Sequence, residues 1–222
     1  NKNPSKTTLM PNKIKKIKVE IDPLPIITDP REAKEKGELI IPPRTFQLGD
    51  TTNAWSKCDY ILEGQTETNG QEHLYIETQG AYALPQENGA IRIYSSTQGP
   101  TAVQRTVARV LNLPMNQVEV DTTRLGGGFG GKEDQATTWA VLCALAAYHL
   151  KKPVKYSLHR MEDMRMTGKR HPYSSDFKIG LNKELKILAY EATFYQNAGA
   201  AADLSPAVME RTLFHCNNTY FI

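Results

Sequence analysis

The sequence contains little cysteine: three of its 222 residues are cysteines. Cys58, Cys143 and Cys216 lie far apart, and no two of them have the C-x-x-C spacing of zinc or dithiol sites. A small, odd number of cysteines argues against the disulfide framework of a small secreted domain and suits a reducing compartment. We therefore expect a cytoplasmic protein, with Cys143 as a small core residue in an apolar helix.

Long hydrophobic runs are also lacking. The longest one, Trp139–Ala147, is roughly half as long as a membrane-spanning helix. Residues 1–4 do not begin an apolar stretch of the kind found in signal peptides. We expect no membrane segment.

The slight excess of positive charge is confined to one end of the sequence. The net charge is +3, but residues 1–19 contain six lysines and no acid, so the remaining residues carry +3 minus 6, or −3. A nucleic-acid-binding domain usually carries basic residues with interleaved aromatic ones on a folded face. The sequence has no such pattern, so we expect no nucleic-acid partner.

Hydrophobic periodicity predicts a mixture of strands and helices. The predicted strands are Ile14–Glu20, Tyr60–Glu67, Tyr75–Leu84, Ile91–Ser96, Val118–Asp121, Val154–His159, Phe177–Gly180 and Ile187–Asn197, and the predicted helices are 100–111, Asp134–Leu150 and Pro206–Phe214. Residues 23–50 are rich in proline, which predicts a connector without regular structure. The whole indicates an α+β protein in which mixed sheets pack against helices.

The helix Asp134–Leu150 has an unusual middle. Residues 139–147 are apolar on all sides, which predicts that the helix is buried all round. Glu133 and Asp134 are expected in its first turn, where the helix dipole favours acidic side chains.

A glycine run lies between a predicted strand and this helix. Residues 126–131 read GGGFGG and are followed by Lys132 and Glu133. Five glycines in six positions are entropically costly unless the backbone needs unusual torsion angles or must approach a ligand closely.

The run matches two nucleotide-binding patterns incompletely. It fits G-x-G-x-x-G, but the acids at Glu162 and Asp163 lie too far along for the usual ribose contact. It also fits G-x-x-x-x-G-K, but Glu133 replaces the hydroxyl residue that a P-loop needs for magnesium. The residues alone leave an anion-binding loop and a purely structural loop equally open.

Several motifs occur in an order that resembles the xanthine dehydrogenase and aldehyde oxidase family of molybdenum hydroxylases. They are GQEHLYIET (70–78), STQ (96–98), GGGFGGKE (126–133), RHP (170–172), NAG (197–199) and MERTLFH (209–215). The resemblance covers about residues 17–222. It implies that residues 1–22 end an α/β hammerhead domain, that residues 23–59 form a connector, and that residues 60–222 form the first part of the molybdopterin-binding domain.

The resemblance also implies a cofactor, molybdenum–molybdopterin, and roles for particular residues. Gln98 is expected to donate its amide N–H to a metal oxo ligand. Gly128, Phe129 and Gly130 are expected to bind the cofactor, the last two through backbone N–H groups. No side chain is expected to ligate the metal. The alternative for Gln98 is an amide that completes a strand end, and the alternative for Phe129 is a core aromatic.

Glu133 carries the expectation about substrate. A glutamate at this position is similar to the purine-oxidising branch of the family. Glu133 is therefore expected to bind the purine ring and act in catalysis. A buried carboxylate needs a partner, which a purine supplies and an aldehyde does not. The expected activity is therefore the hydroxylation of hypoxanthine and xanthine, with aldehyde oxidation as the alternative. His73 and His171 lack further ligands at metal-binding spacing, so they are expected to be structural.

The intact enzymes of this family are larger. The resemblance implies further domains with [2Fe–2S] clusters and FAD, electron transfer to NAD, and a homodimer. An arginine, a phenylalanine and a glutamate base of the family site have no counterpart in residues 1–222. We therefore expect the chain alone to be inactive. A nucleotide-binding module and a non-catalytic interaction domain remain alternatives.

Overall fold

The computed structural model describes Lys18 and residues 20–222. The predicted strand Ile14–Glu20 lies almost entirely outside these residues. The helices are α1 (Pro30–Glu35), α2 (Thr51–Trp55), α3 (Pro100–Leu111), α4 (Gln135–Leu150), α5 (Arg160–Met166) and α6 (Ser205–His215). The strands are β1 (Tyr60–Thr68), β2 (Gly80–Pro85), β3 (Ile91–Ser95), β4 (Val118–Asp121), β5 (Val154–Ser157), β6 (Tyr173–Leu181) and β7 (Ile187–Gln196).

The strands form two sheets, which confirms the predicted α+β class. One sheet has the order β4-β3-β2-β5, and the other has the order β1-β6-β7. In the first sheet β3 and β4 are parallel and are joined through α3, whereas β2 pairs antiparallel with both of its neighbours. The second sheet is antiparallel throughout. The four-stranded sheet carries the glycine run, which follows β4.

The main core lies between the four-stranded sheet and helices α3 and α4. Alternate residues of β2 and β3 are buried because side chains of a strand point to opposite faces. They meet the small residues of α4 and the apolar face of α3. The buried cluster contains Ala81, Ala83, Ile91, Ile93, Val103, Val107, Ala108, Val118, Ala140, Cys143, Ala144 and Ala147. Cys143 is thus a core residue, as predicted.

The prediction that α4 is buried all round is wrong. Its small residues face the sheet, but Leu142 and Leu150 are 49% and 62% exposed. A continuous apolar run could not reveal which side packs, because here the buried side is marked by small residues and not by greater hydrophobicity. The helix also begins at Gln135, so Glu133 and Asp134 precede its first turn.

Other strand and helix boundaries differ from those predicted, because tertiary contacts override the local hydrophobic pattern. The strand predicted over Tyr75–Leu84 begins only at Gly80, because Tyr75 and Gln79 are engaged in hydrogen bonds with the buried Asp163. Strand β6 begins earlier than predicted, at Tyr173. Three short helices were not predicted; their N-caps are Asp29, Asp50 and His159, and each cap side chain accepts a backbone N–H.

The connector is attached to the three-stranded sheet by ion pairs. Arg31, just after the start of α1, contacts Asp176 of β6 at 2.6 Å and Glu67 of β1 at 2.9 Å. Hydrogen bonds to these two carboxylates raise the pKa of Arg31 further above its ordinary value. No helix in the described part of the chain is both long and apolar enough to span a bilayer.

The two sides of α4 should respond differently to the same polar side chain. Ala144→Gln places an amide and extra volume at a position that is 0% exposed, so unfolding should require at least about 2 kcal/mol less free energy. Leu142→Gln, two residues earlier and half exposed, should change it by no more than about 0.5 kcal/mol. Urea unfolding followed by fluorescence of Trp139, buried in the same helix, measures both. Equal losses would contradict the orientation of α4.

Candidate functional site

The glycine run lies directly beside the end of strand β3. The N–H of Gln98 donates to the carbonyl of Lys132 at 2.8 Å, and the hydroxyl of Thr97 donates to the same carbonyl at 3.2 Å. Two loops separated by about thirty residues in sequence therefore meet. Each loop lies between a strand and a helix, and ligands often bind at such strand ends.

The side chain of Gln98 is held in one orientation. Its Oε1 accepts the backbone N–H groups of Gly130 and Lys132, each at 3.1 Å. Both neighbours are donors, so the oxygen must face them and the amide nitrogen must face away. That nitrogen has no hydrogen-bond partner among the residues the structure describes. A Cβ on Gly128 would overlap this amide, so the close approach itself requires glycine there.

Phe129 and Gly130 form the outer turn of the run, and both have positive φ. The φ angle is 54° at Phe129 and 90° at Gly130. The ring of Phe129 is 73% exposed, so the core-aromatic alternative is wrong. The N–H of Gly130 donates to Gln98, whereas within the described chain the N–H groups of Gly128 and Phe129 have no partner.

The first glycine of the run is fixed by a carboxylate. Oε2 of Glu77 accepts the N–H of Gly126 at 2.9 Å and the hydroxyl of Ser96 at 2.7 Å. Burial raises the pKa of Glu77, but these two hydrogen bonds and the nearby charge of Lys132 outweigh it, so the pKa lies below its ordinary value. The carboxylate is therefore ionised at neutral pH.

The residue that follows the run points into the protein. The side chain of Lys132 is fully buried, and Nζ donates to the carbonyl of Glu77 at 2.8 Å and to the hydroxyl of Ser96 at 2.7 Å. Nζ also lies 4.5 Å from the ring centre of Tyr75. Burial lowers the pKa of Lys132, although the carboxylates of Glu77 and Asp163 oppose this effect.

A second buried network supports the run from behind. Nε2 of Gln79 donates to the carbonyl of Gly131 at 2.8 Å and to the hydroxyl of Tyr75 at 3.1 Å. Asp163 accepts the hydroxyl of Tyr75 at 2.7 Å and the N–H of Gln79 at 2.6 Å. Burial and then the hydrogen bond to Asp163 raise the pKa of Tyr75 well above its ordinary value. Tyr75 therefore stays neutral and donates.

Glu133 lies two residues before α4 and is partly buried. Its carboxylate makes no hydrogen bond or ion pair with the described residues. The helix-dipole explanation of this side chain is weakened, because Glu133 lies outside the first turn. A partly buried carboxylate without a protein partner is instead suited to a ligand that donates hydrogen bonds.

The same geometry argues against the nucleotide-binding alternatives. A P-loop lysine must reach phosphate groups, but Lys132 is turned into the protein and already has its acceptors. A dinucleotide loop places a pyrophosphate at the helix N-terminus, where Glu133 and Asp134 would repel it.

Other motif residues have structural partners. A Cβ on Gly131 would come within 2.8 Å of the ring of His73, so the histidine packs against the run. Nε2 of His171 lies 2.8 Å from the hydroxyl of Ser205. Burial lowers the pKa of both histidines. Glu210 pairs with Arg44 of the connector and does not reach the glycine run.

The residues behind the run were not identified from the sequence. Glu77 and Ser96 lie inside quoted motifs, but no spacing links them to Lys132, and Asp163 lies in a helix that was not predicted. A groove of about 1550 Å³ lies between residues 27–54 and the β7–α6 region. It contains none of the predicted site residues, so the hydrogen-bond geometry of the loop defines the candidate site.

Residues 32–222 match the family of molybdopterin cofactor-binding domains. The chain is 42% identical over 205 residues to the xanthine dehydrogenase of Emericella nidulans, which covers 92% of this chain and 15% of that protein. It is 39% identical over 209 residues to the xanthine dehydrogenase/oxidase of Gallus gallus, covering 94% of this chain and 15% of that protein. The chain thus spans 15% of the length of these relatives.

Solved structures share the fold. The aldehyde oxidoreductase of Desulfovibrio gigas superposes with a TM-score of 0.60 and 27% identity, covering 66% of this chain and 16% of that one. The CO dehydrogenase of Oligotropha carboxidovorans superposes with a TM-score of 0.68, covering 82% of this chain and 26% of that one. The identity to the latter is 22%, so this likeness concerns the fold alone.

Gly130 should be needed for its backbone conformation. A Cβ there would meet no atom within 4 Å, but φ is +90°, which strains a β-branched residue. Gly130→Val should lower the opening free energy of the loop by about 1–3 kcal/mol, and Gly130→Asn, which tolerates positive φ better, should lower it less. Hydrogen exchange of residues 126–133, with α4 as the internal reference, measures this. Unchanged protection in the valine variant would rule out the requirement.

Proposed function

The chain belongs to the molybdopterin cofactor-binding domain family, and from this premise we propose that it forms part of the molybdenum site of a purine hydroxylase. The proposed reaction converts hypoxanthine to xanthine and xanthine to urate, with the oxygen taken from water. The choice of a purine as substrate rests on Glu133 beside the glycine run, which is partly buried and has no hydrogen-bond partner among the described residues.

The residues present fit the cofactor. A molybdenum cofactor exposes oxo and pterin acceptors, so its pocket needs hydrogen-bond donors that the protein does not already use. Three such donors surround the turn of the glycine run: the amide nitrogen of Gln98 and the N–H groups of Gly128 and Phe129. The open space around Gly130 leaves room for a ligand against the backbone.

When bound, molybdenum–molybdopterin supplies the redox chemistry that inserts oxygen into an electron-poor ring carbon. Gln98 orients the cofactor with a neutral donor, which suits an oxo group because a carboxylate would repel it. Its oxygen is anchored by Gly130 and Lys132, so the nitrogen is preorganised and needs no rearrangement on binding.

Glu133 is the proposed substrate-binding and catalytic residue. Its carboxylate accepts a hydrogen bond from a purine ring N–H and so holds the ring in one orientation for attack. A simple aldehyde has no donor with which to satisfy this carboxylate, so it would leave a partly buried charge unpaired. Glu133 therefore favours purines in two ways: it forms a hydrogen bond with a purine, and it finds no donor in an aldehyde.

Aldehyde oxidation is the second candidate. It is supported by the 27% identity and the shared fold with the aldehyde oxidoreductase of Desulfovibrio gigas. We further propose that [2Fe–2S] clusters, FAD and NAD bind to other parts of the intact protein, which we expect to be a cytoplasmic homodimer.

The substrate proposal is tested by Glu133→Val in the full-length protein. Losing a hydrogen bond to a charged group should lower kcat/KM for xanthine about tenfold to hundredfold. For a simple aromatic aldehyde kcat/KM should stay level or rise, because the unpaired carboxylate is gone. The matched control is Asp134→Val, which removes the neighbouring exposed acid and should change both values by no more than about a factor of two. An equal fall for both substrates in Glu133→Val would show that Glu133 is a folding residue.

A further inference from the structure

Lys132 is a fully buried charged side chain, and burying a charge is a weak explanation for the stability of a fold. An ammonium group that is 0% exposed loses its hydration, and a well-packed apolar side chain is often as stable or more stable at such a position. Its charge is nevertheless well compensated. The carbonyl of Glu77 and the hydroxyl of Ser96 accept two of its N–H groups, and the third direction is shared by the ring of Tyr75 and the carboxylate of Glu77, 3.7 Å away.

The backbone of Lys132 carries the contacts that orient Gln98. Its N–H donates to the side-chain oxygen of Gln98, and its carbonyl accepts the N–H of Gln98. The side chain of Lys132 meanwhile reaches Ser96, two residues before Gln98 on the same strand end. One residue therefore bonds to the segment 96–98 through its amide, its carbonyl and its ammonium group.

The other end of the glycine run is tied to the same charges. Glu77 exchanges two hydrogen bonds with Gly126: its N–H donates to the carbonyl at 3.1 Å, and its carboxylate accepts the N–H at 2.9 Å. The hydroxyl of Ser96 accepts from Lys132 and donates to this carboxylate, so it links the two charges. The run is thus closed at both ends by the chain Glu77–Ser96–Lys132, which we name the loop clamp.

We infer that Lys132 is a positioning residue that, through the loop clamp, fixes the glycine run and the amide of Gln98 in the geometry that receives the cofactor. The inference rests on the proposed function only for the identity of the cofactor. The ordering of the loop by Lys132 does not depend on that function. Five of the six residues in the run are glycines, which have no side chains to hold them and lose the most conformational entropy on ordering. Anchors outside the run must therefore supply that order.

The test is Lys132→Met in the full-length protein. This substitution keeps a long, unbranched apolar stem and removes the ammonium group. The matched control is Lys155→Met, the same change at an exposed position on β5. Hydrogen exchange is measured first, on protein prepared without cofactor. In Lys132→Met the hydrogen-bonded amides of the loop, those of Gly126, Gly130, Gly131 and Lys132, should exchange about tenfold to hundredfold faster. The amides of α4 in this variant, and all amides of Lys155→Met, should match the wild type.

The second measurement uses cofactor-loaded protein, with molybdenum content determined for each variant. Turnover per bound molybdenum should fall on the order of tenfold to hundredfold in Lys132→Met, because Gln98 is misplaced. The KM for xanthine should stay within about a factor of two, because Lys132 does not touch the substrate. A merely structural lysine would lower loading but leave normal turnover in the loaded molecules.

The outcomes separate this inference from the proposed function. Wild-type protein without molybdenum would contradict the proposed function alone, since the exchange experiment still tests the clamp. Normal exchange of residues 126–133 and normal turnover per molybdenum in Lys132→Met would overturn the inference. If that variant leaves α4 unprotected, Ser96→Ala decides: it keeps the charge and removes the bridging hydroxyl, and it should accelerate exchange in the loop alone. Unchanged loop exchange in Ser96→Ala would then overturn the inference.

Discussion

The amide oxygen of Gln98 lies between the N–H groups of Gly130 and Lys132, and this contact joins the end of β3 to the glycine run. The amide nitrogen is therefore turned away from these two donors, and it has no partner among the residues that the structure describes. The glycines of the run have no side chains to hold it in place, so contacts from outside the run such as these are needed to order it. The buried ammonium group of Lys132 and the half-exposed carboxylate of Glu77 lie 3.7 Å apart behind them.

Two different sets of residues allow the run to adopt its backbone conformation and hold it there. The glycines allow close approach and positive φ, as at Gly128 and Gly130. The residues outside the run hold it in place, and Gln98 adds a side-chain donor to the backbone N–H groups of the run. Glu133, which follows Lys132, adds an acceptor with no partner among the residues that the structure describes, and we propose that this acceptor selects for a ligand with a ring N–H.

The longer helices and most strands were predictable, because strand alternation and helical periodicity are local properties, whereas the three short helices were not. The core role of Cys143 followed in the same way. The exposed side of α4 was not predictable, since its leucines face outward while its alanines pack against the sheet. Nor was the late start of the predicted Tyr75–Leu84 strand, at Gly80, which depends on Asp163, far away in sequence. Gln98 was recognised through its motif, but the anchoring of its oxygen and the clamp behind it are long-range contacts that no spacing encodes.

The central claim is that the outward amide nitrogen of Gln98 meets the cofactor, and Gln98→Glu tests it most directly. The substitution preserves an oxygen that can accept from Gly130 and Lys132, so the loop should stay ordered, but it replaces the outward donor with an acceptor that repels an oxo group. Losing such a donor typically raises the barrier by about 2.7–4 kcal/mol. Turnover per bound molybdenum in the full-length protein should therefore fall on the order of a hundredfold or more, with hydrogen exchange of residues 126–133 unchanged. Unchanged turnover per molybdenum would contradict the claim and leave Gln98 as a residue that only completes the end of β3.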